Sequence, residues 1–265
     1  MQQEILSRLS PDFPWADRIR YFPVIGSTND LLKSMAKEGV PHGTAILAGS
    51  QTNGHGRLGR SFHSPEGMGI YLSILLRPQC LPTQLMHLTC AAAVAMCDAV
   101  EQAAGIRPGI KWTNDLVWGS RKLGGILTEL GLTPDGKVDW TIIGIGINCR
   151  QQPEDFPEEI RPIATSVKHV TGRNISPAAL AAAMLEQLAR MDASLLTGKD
   201  AMLDAYRQNC VTLGCKISVV RGQEIRHGTA LSVDDEGALV VAYPDGTTEA
   251  VNSGEVSIRG MYGYV

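Results

Sequence analysis

The feature that most constrains the fold is a change of texture near Leu213. Upstream, segments of helical and strand period alternate. Downstream come five short β-rich runs, Lys216 to Arg221, Ile225 to Val233, Ala238 to Ala242, Thr247 to Val251 and Val256 to Arg259, separated by Gly and Asp turns. Runs of that length and spacing suit a small barrel closed on itself. The chain is therefore expected to divide into a larger unit at 1–212 and a barrel domain at 213–265, and its 265 residues suffice for one large core with a small companion.

Within the larger unit, the first element expected is a helix opened by a capping hydroxyl at Ser27 or Thr28 and carrying Leu31, Leu32, Met35 and Ala36 toward Gly39. Thr44 to Gln51 reads as a buried strand. Gly69 to Arg77 sets Ile70, Leu72, Ile74 and Leu76 at period two, and Pro78 closes that strand. Gln84 to Ala104 has the apolar stripe of a long helix. Strands are expected at Gly109 to Trp112, Lys122 to Leu130 and Trp140 to Asn148, the last two joined through Pro134-Asp135-Gly136. Ser176-Pro177 opens a helix to about Leu196, and a shorter one covers Ala201 to Asn209.

Composition narrows the classes of function. A net charge of −3 argues against a surface built to grip a polyanion, so any phosphate chemistry must be local. The six cysteines are scattered without a C-x-x-C pair, which favours reduced, buried thiols over a metal or disulfide framework. Met1 to Arg20 lacks the apolar region of a signal peptide, and no long apolar run is evident that would span a bilayer. The expected location is the cytoplasm, with no membrane partner.

Three segments carry chemistry. Gly54-His55-Gly56-Arg57-Leu58-Gly59-Arg60 combines glycines that admit a ligand close to the backbone with arginines that bind phosphate or carboxylate in bidentate fashion. A solvated basic turn would look the same. Lys111-Trp112-Thr113-Asn114-Asp115, followed by Arg121-Lys122-Leu123-Gly124-Gly125, would collect both signs of charge at a sheet edge, although Asn-Asp is also common turn chemistry. Gly144-Ile145-Gly146-Ile147-Asn148 is a strand whose alternate glycines leave room beside it for a ligand or for a packed helix.

Taken in this order, with Ser27-Thr28-Asn29, Gln51 and Ser64-Pro65 between them, these segments resemble the biotin protein ligases. The resemblance covers roughly residues 20–150 and continues as a helical segment and a barrel to Gly254-Glu255-Val256-Ser257-Ile258-Arg259. It implies an α+β fold: a mixed β-sheet flanked by helices, of class II synthetase type, followed by an SH3-like barrel. It also implies two half-reactions in one pocket. Biotin and ATP, with Mg2+, give biotinyl-5'-AMP, and a lysine of a biotin carboxyl carrier domain of a carboxylase then takes the biotin.

By the same resemblance, Ser27, Thr28, Asn29, Gln51, Gly54, Arg57, Lys122 and Gly125 line the biotin pocket. Gly54, His55, Gly56, Arg57, Arg60, Lys111, Asn114, Asp115 and Asn148 hold ATP or the adenylate. Lys122, Arg57 and Asp115 are the catalytic candidates, and Asp115 the Mg2+ ligand. His55 stands where the family has arginine, Leu58 where a further basic residue is common, and Thr113 where proline is usual. These exchanges imply a weaker hold on the adenylate and a looser turn at Lys111 to Asp115.

Lipoate or octanoate ligation is the enzymatic rival, since those ligases share the fold and the acyl-adenylate logic. A nucleic-acid-binding reading draws on Arg57, Arg60 and the barrel's Tyr243, Tyr262 and Tyr264, together with Tyr206 just before it, but no basic run lies between the tyrosines to make a stacking groove. Relatives with a winged helix also repress transcription. Only roughly 25 residues precede Ser27, about half what such a domain needs for a core, so no specific DNA binding is expected. The sequence leaves monomer and homodimer open.

Overall fold

The computed structural model describes residues 1–252 and 257–260. Its elements run α1 (Gln2–Leu6), β1 (Ile19–Ile25), α2 (Thr28–Lys37), β2 (Ala45–Gln51), β3 (Gly69–Leu76), α3 (Leu88–Ala104), β4 (Gly109–Lys111), β5 (Asp115–Trp118), β6 (Arg121–Leu132), β7 (Val138–Asn148), α4 (Val167–Thr171), α5 (Pro177–Ser194) and α6 (Lys199–Asn209). Then follow β8 (Lys216–Arg221), β9 (Glu224–Val233), β10 (Leu239–Ala242), β11 (Thr248–Val251) and β12 (Ser257–Gly260). The first seven strands form one mixed sheet in the order β1-β2-β3-β7-β6-β5-β4, and the last five an antiparallel sheet in the order β11-β10-β9-β8-β12. Of the final sequence motif, Gly254 to Val256 lies outside the described residues, as do Tyr262 and Tyr264.

Several elements depart from the sequence expectations. Order begins before Ser27, with α1 and β1. β1 contains Pro23 and lies at the sheet's edge, pairing only with β2, where a missing amide donor costs no ladder bond. β5 is four residues long and sits in what reads as a turn after Asn114. The helix expected from Gln84 starts at Leu88, after a separate turn of 3-10 helix at Pro82–Leu85.

The alternation in β3 also understates its burial, because all eight residues are buried. One face packs in the large core with α3 and α5. The other places Leu75, with Ile46 and Ile142, against Leu32, Met35 and Ala36 of α2. Pro82–Ala104 is long and apolar enough by composition to cross a bilayer, but 72% of its apolar window is packed inside the protein, which marks a core helix.

Residues of the two sheets share one buried core, and a hydrogen bond joins the small sheet to the region of the site. Trp112, buried after β4, donates from Nε1 to the carbonyl of Gly237 in the β9–β10 turn at 3.0 Å. Arg207 of α6 holds the same turn by donating from Nε to the Val233 carbonyl at 2.8 Å.

Leu72, wholly buried in β3, tests the ledger of the large core. Leu72→Ala is expected to lower unfolding free energy by about 2 to 5 kcal/mol in urea titration, through lost burial and the cavity left behind.

Candidate active site

An open cleft with about 480 Å³ of empty space lies over the middle of the large sheet, reaching from the start of α2 to the β5–β6 hairpin. Its floor is the Gly144-Ile145-Gly146 stretch of β7 with Gly125-Ile126-Leu127 of β6. The floor needs glycines. A Cβ on Gly144 would lie 2.1 Å from Asn29 Oδ1, and one on Gly146 would lie 2.4 Å from the Phe62 ring. Of the two openings left by the sequence, room for a ligand or for a helix, both hold: α2 delivers Asn29 and the cleft opens beyond it.

At one end the wall is polar and built by the first turn of α2. Ser27 caps that helix by accepting from the Asp30 amide at 3.4 Å. Gln51 Oε1 accepts from the Thr28 amide at 2.8 Å and its hydroxyl at 3.0 Å, while Gln51 Nε2 donates to Ser64 Oγ at 3.0 Å. The Ser73 hydroxyl lies 2.7 Å from Thr28 Oγ1 and 2.5 Å from Asn29 Oδ1, so its single proton serves one of them. Asn29 Nδ2 donates to Glu129 at 2.7 Å, and Lys33 pairs with the other oxygen of Glu129 at 2.8 Å.

At the other end two cations meet the β4–β5 turn. Arg57 donates from Nη1 to Asn114 Oδ1 at 2.9 Å, and Lys122 Nζ stands 2.6 Å from Asp115 Oδ1. Gly125 makes room for this pair, since a Cβ there would lie 3.1 Å from the ammonium. Burial pushes the Arg57 guanidinium below its ordinary value. Asp115 opposes that shift and Arg60 adds to it. A cation so short of solvent gains from any anion that enters.

The glycine loop is a strap across this space. Gly56 donates its amide to the Arg60 carbonyl at 2.6 Å, and Leu58 takes the left-handed conformation at φ 57°. His55, the exchange from arginine, is 2.7 Å from Asp30 Oδ2 and so ties the strap to α2. The turn at Lys111 to Asp115 is held in place of a proline by Trp112, whose amide donates to Thr212 Oγ1 at 2.9 Å, and by Tyr206, whose hydroxyl donates to the Thr113 carbonyl at 3.1 Å.

Ser27, Thr28, Asn29, Gln51, His55, Gly56, Arg57, Asn114, Lys122 and Gly125 all line the cleft, and Asp115 touches it through Lys122. Besides Asp115, four predicted residues do not line it. Gly54 lies behind, where a Cβ would meet the Phe62 carbonyl. Arg60 is exposed at the end of the strap, Lys111 is buried opposite Asp115 in the β4–β5 ladder, and Asn148 is buried at the end of β7. Phe62, Ser73 and Glu129 were missed. Ser73 left a signal, a hydroxyl in the middle of an apolar strand.

Comparison with known proteins agrees with this geometry. The model of the Biotin/lipoate A/B protein ligase family matches residues 21–148, and that of the Biotin protein ligase C terminal domain matches residues 212–259. Fold and cleft thus define a protein ligase of the biotin and lipoate class. The chain is 36% identical to the bifunctional ligase/repressor BirA of Bacillus subtilis over 85% of its own length and 70% of the relative's. It is 31% identical to the biotin--[acetyl-CoA-carboxylase] ligase of Mycobacterium tuberculosis over 87% and 85%. The biotin protein ligase of Aquifex aeolicus, solved with biotin and ATP, superposes with a TM-score of 0.78 at 27% identity, covering 92% of this chain and 99% of that one. The chain belongs to the biotin protein ligase family and is an enzyme of the ligase class.

The strap's anchor has a testable pH signature. Burial alone would raise the Asp30 carboxyl, but hydrogen bonds and charge from His55 and Lys33 outweigh it and hold the group below its ordinary 3.8. A depressed folded value stabilises the fold above 3.8 and loses that contribution as pH falls through the lower value. The difference in urea midpoint between the parent and Asp30→Asn is therefore expected to shrink as pH falls below about 4.

Proposed function

We propose that the enzyme activates biotin with ATP to biotinyl-5'-AMP and diphosphate, then transfers the biotinyl group to a lysine of a biotin carboxyl carrier domain in the cytoplasm. The observation that carries this reading is the placing of Arg57 and Lys122, both half-buried, at the end of a cleft whose opposite wall is uncharged and polar. The polar wall, Ser27, Thr28 and Gln51 with Asn29, offers donors and acceptors for the ureido ring. Gly125 and the glycine floor lie along the acid's length, with Gly54 supporting the wall from behind.

In the first half-reaction a carboxylate oxygen attacks the α-phosphorus and diphosphate leaves. Two anions must approach, so the charges of Arg57 and Lys122 offset their repulsion and stabilise what develops in the transition state. Arg60 and Lys111, with the backbone of Gly56, add positive potential around the phosphates, while His55 and Asn114 orient the nucleotide. In the second half-reaction the neutral acceptor amine attacks the acyl carbon, AMP leaves with the electrons of the broken C–O bond, and the nitrogen gives up one proton to solvent. The strap closes over the adenylate and keeps out water that would hydrolyse it.

Among the described residues no cluster of three or more His, Cys, Asp or Glu could hold a metal by itself. A single carboxylate beside a phosphate site fits Mg2+, which takes one or two carboxylates with phosphate oxygens and water. Asp115 would hold it, and the ion would add charge against the phosphates. Residues 1–212 serve as the catalytic domain in this reading and residues 213–265 as the barrel that braces Trp112 through Gly237.

Incubation with ATP and either biotin or lipoate is expected to release diphosphate with biotin alone, and release with lipoate alone would overturn the substrate. Lys122→Ala should lower diphosphate release about a hundred- to a thousandfold with the melting temperature nearly unchanged. Arg57→Ala should speed dissociation of the adenylate more than that of free biotin, as read by comparing the two off-rates.

A further inference from the structure

A line of buried polar groups reaches Lys122 from the side away from its ammonium. β7 pairs with β6 from Leu132 back to Gly124 and then leaves the sheet, as the amides of Cys149 and Arg150 turn to donate to the Met68 carbonyl. The edge of Lys122 that β7 would have covered is taken by Ile163 to Thr165. Lys122 donates its amide to the Ile163 carbonyl at 2.7 Å, and its carbonyl accepts from the Thr165 amide at 2.8 Å. Ala164 forms an isolated parallel bridge with it.

A three-residue bridge has no ladder of its own to fix its position. Asn148 supplies one support by donating from Nδ2 to the Thr165 carbonyl at 2.9 Å. Gln151 Nε2 donates in turn to Asn148 Oδ1 at 3.3 Å, and the Ser166 hydroxyl holds the Gln151 carbonyl at 2.6 Å. Gln151 and Ser166 are wholly buried, Thr165 is 2% exposed and Asn148 6%.

We propose that Gln151 is a positioning residue for Lys122. The Asn148 amide can face Thr165 with its nitrogen or its oxygen, and only the nitrogen binds. The Thr165 carbonyl demands that orientation, and Gln151, by donating to the outward-facing oxygen, steadies it and so steadies the backbone from which Lys122 reaches Asp115. Gln151 Oε1 finds no partner among the described residues. A buried amide left half-satisfied is costly to keep for packing alone.

The inference rests on the reading of Lys122 as a catalytic cation, and a double-mutant cycle in the full chain separates the two. Diphosphate release with biotin and ATP is measured for the parent, Gln151→Met, Lys122→Ala and the double variant, the slow chains under single turnover. Gln151→Met is expected to lower kcat about tenfold, as a small displacement of a charged group does, with KM for biotin and ATP unchanged within about twofold. In the Lys122→Ala background the same change should alter the residual rate by less than about twofold, since nothing is left to position. Equal losses in both backgrounds, or a loss confined to KM, would overturn the proposal. Full activity of Lys122→Ala alone would overturn the reading beneath it, and the proposal with it. Gln151→Asn, too short to reach Asn148, runs the same cycle if the Met variant does not fold.

Discussion

At the end of the cleft two positive side chains are held against two acceptors of one turn, Arg57 on the Asn114 side-chain oxygen Oδ1 and Lys122 on the Asp115 carboxylate. Most of the surrounding structure serves that arrangement. Half-buried cations are tolerated only with anions or dipoles close by. The β4–β5 turn supplies these and is itself fastened by Trp112, Thr212 and Tyr206. A second balance, Asp30 and Glu129 around Lys33, steadies the start of α2. The first balance can be exchanged for a substrate's charges because the cleft is open above it. The second, lying under the polar wall, keeps that wall in one conformation.

Much of the fold could be read from the chain because its signals were local. Ser27 and Ser176 cap helices through their own side chains, and Pro134-Asp135-Gly136 turns the β6–β7 hairpin with Gly136 at φ 80°. What escaped depended on distant partners. β5 has four residues and is a strand only because β4 and β6 flank it. β1 carries Pro23, which reads as a breaker until its place at the sheet edge is known.

The site divides along the same line. Glycines and arginines in Gly54 to Arg60, and the Lys111 to Asp115 block, announce a charged loop and turn through residue type alone. Nothing in either segment shows that Arg57 lands on Asn114, 57 residues away. Phe62 covers Gly146 from the loop between β2 and β3, and Glu129 receives Asn29 across 100 residues. Conversely, Lys111 and Asn148 are of residue types that suggest a site and yet are buried and do not line the cleft.

The bond from the Trp112 indole to the Gly237 carbonyl bears on how portable the small sheet is. Its acceptor is a backbone atom, so the match depends on the shape of the β9–β10 turn and not on any side chain that sequence comparison would flag. Gly237 sits at φ 81°, and a Cβ there would lie 3.2 Å from Cys90 Sγ in α3. A barrel transplanted from a relative would thus graft cleanly only if it carried glycine at this point. Chimaeras that keep every polar cleft residue can still fail at a seam set by the shape of one backbone turn.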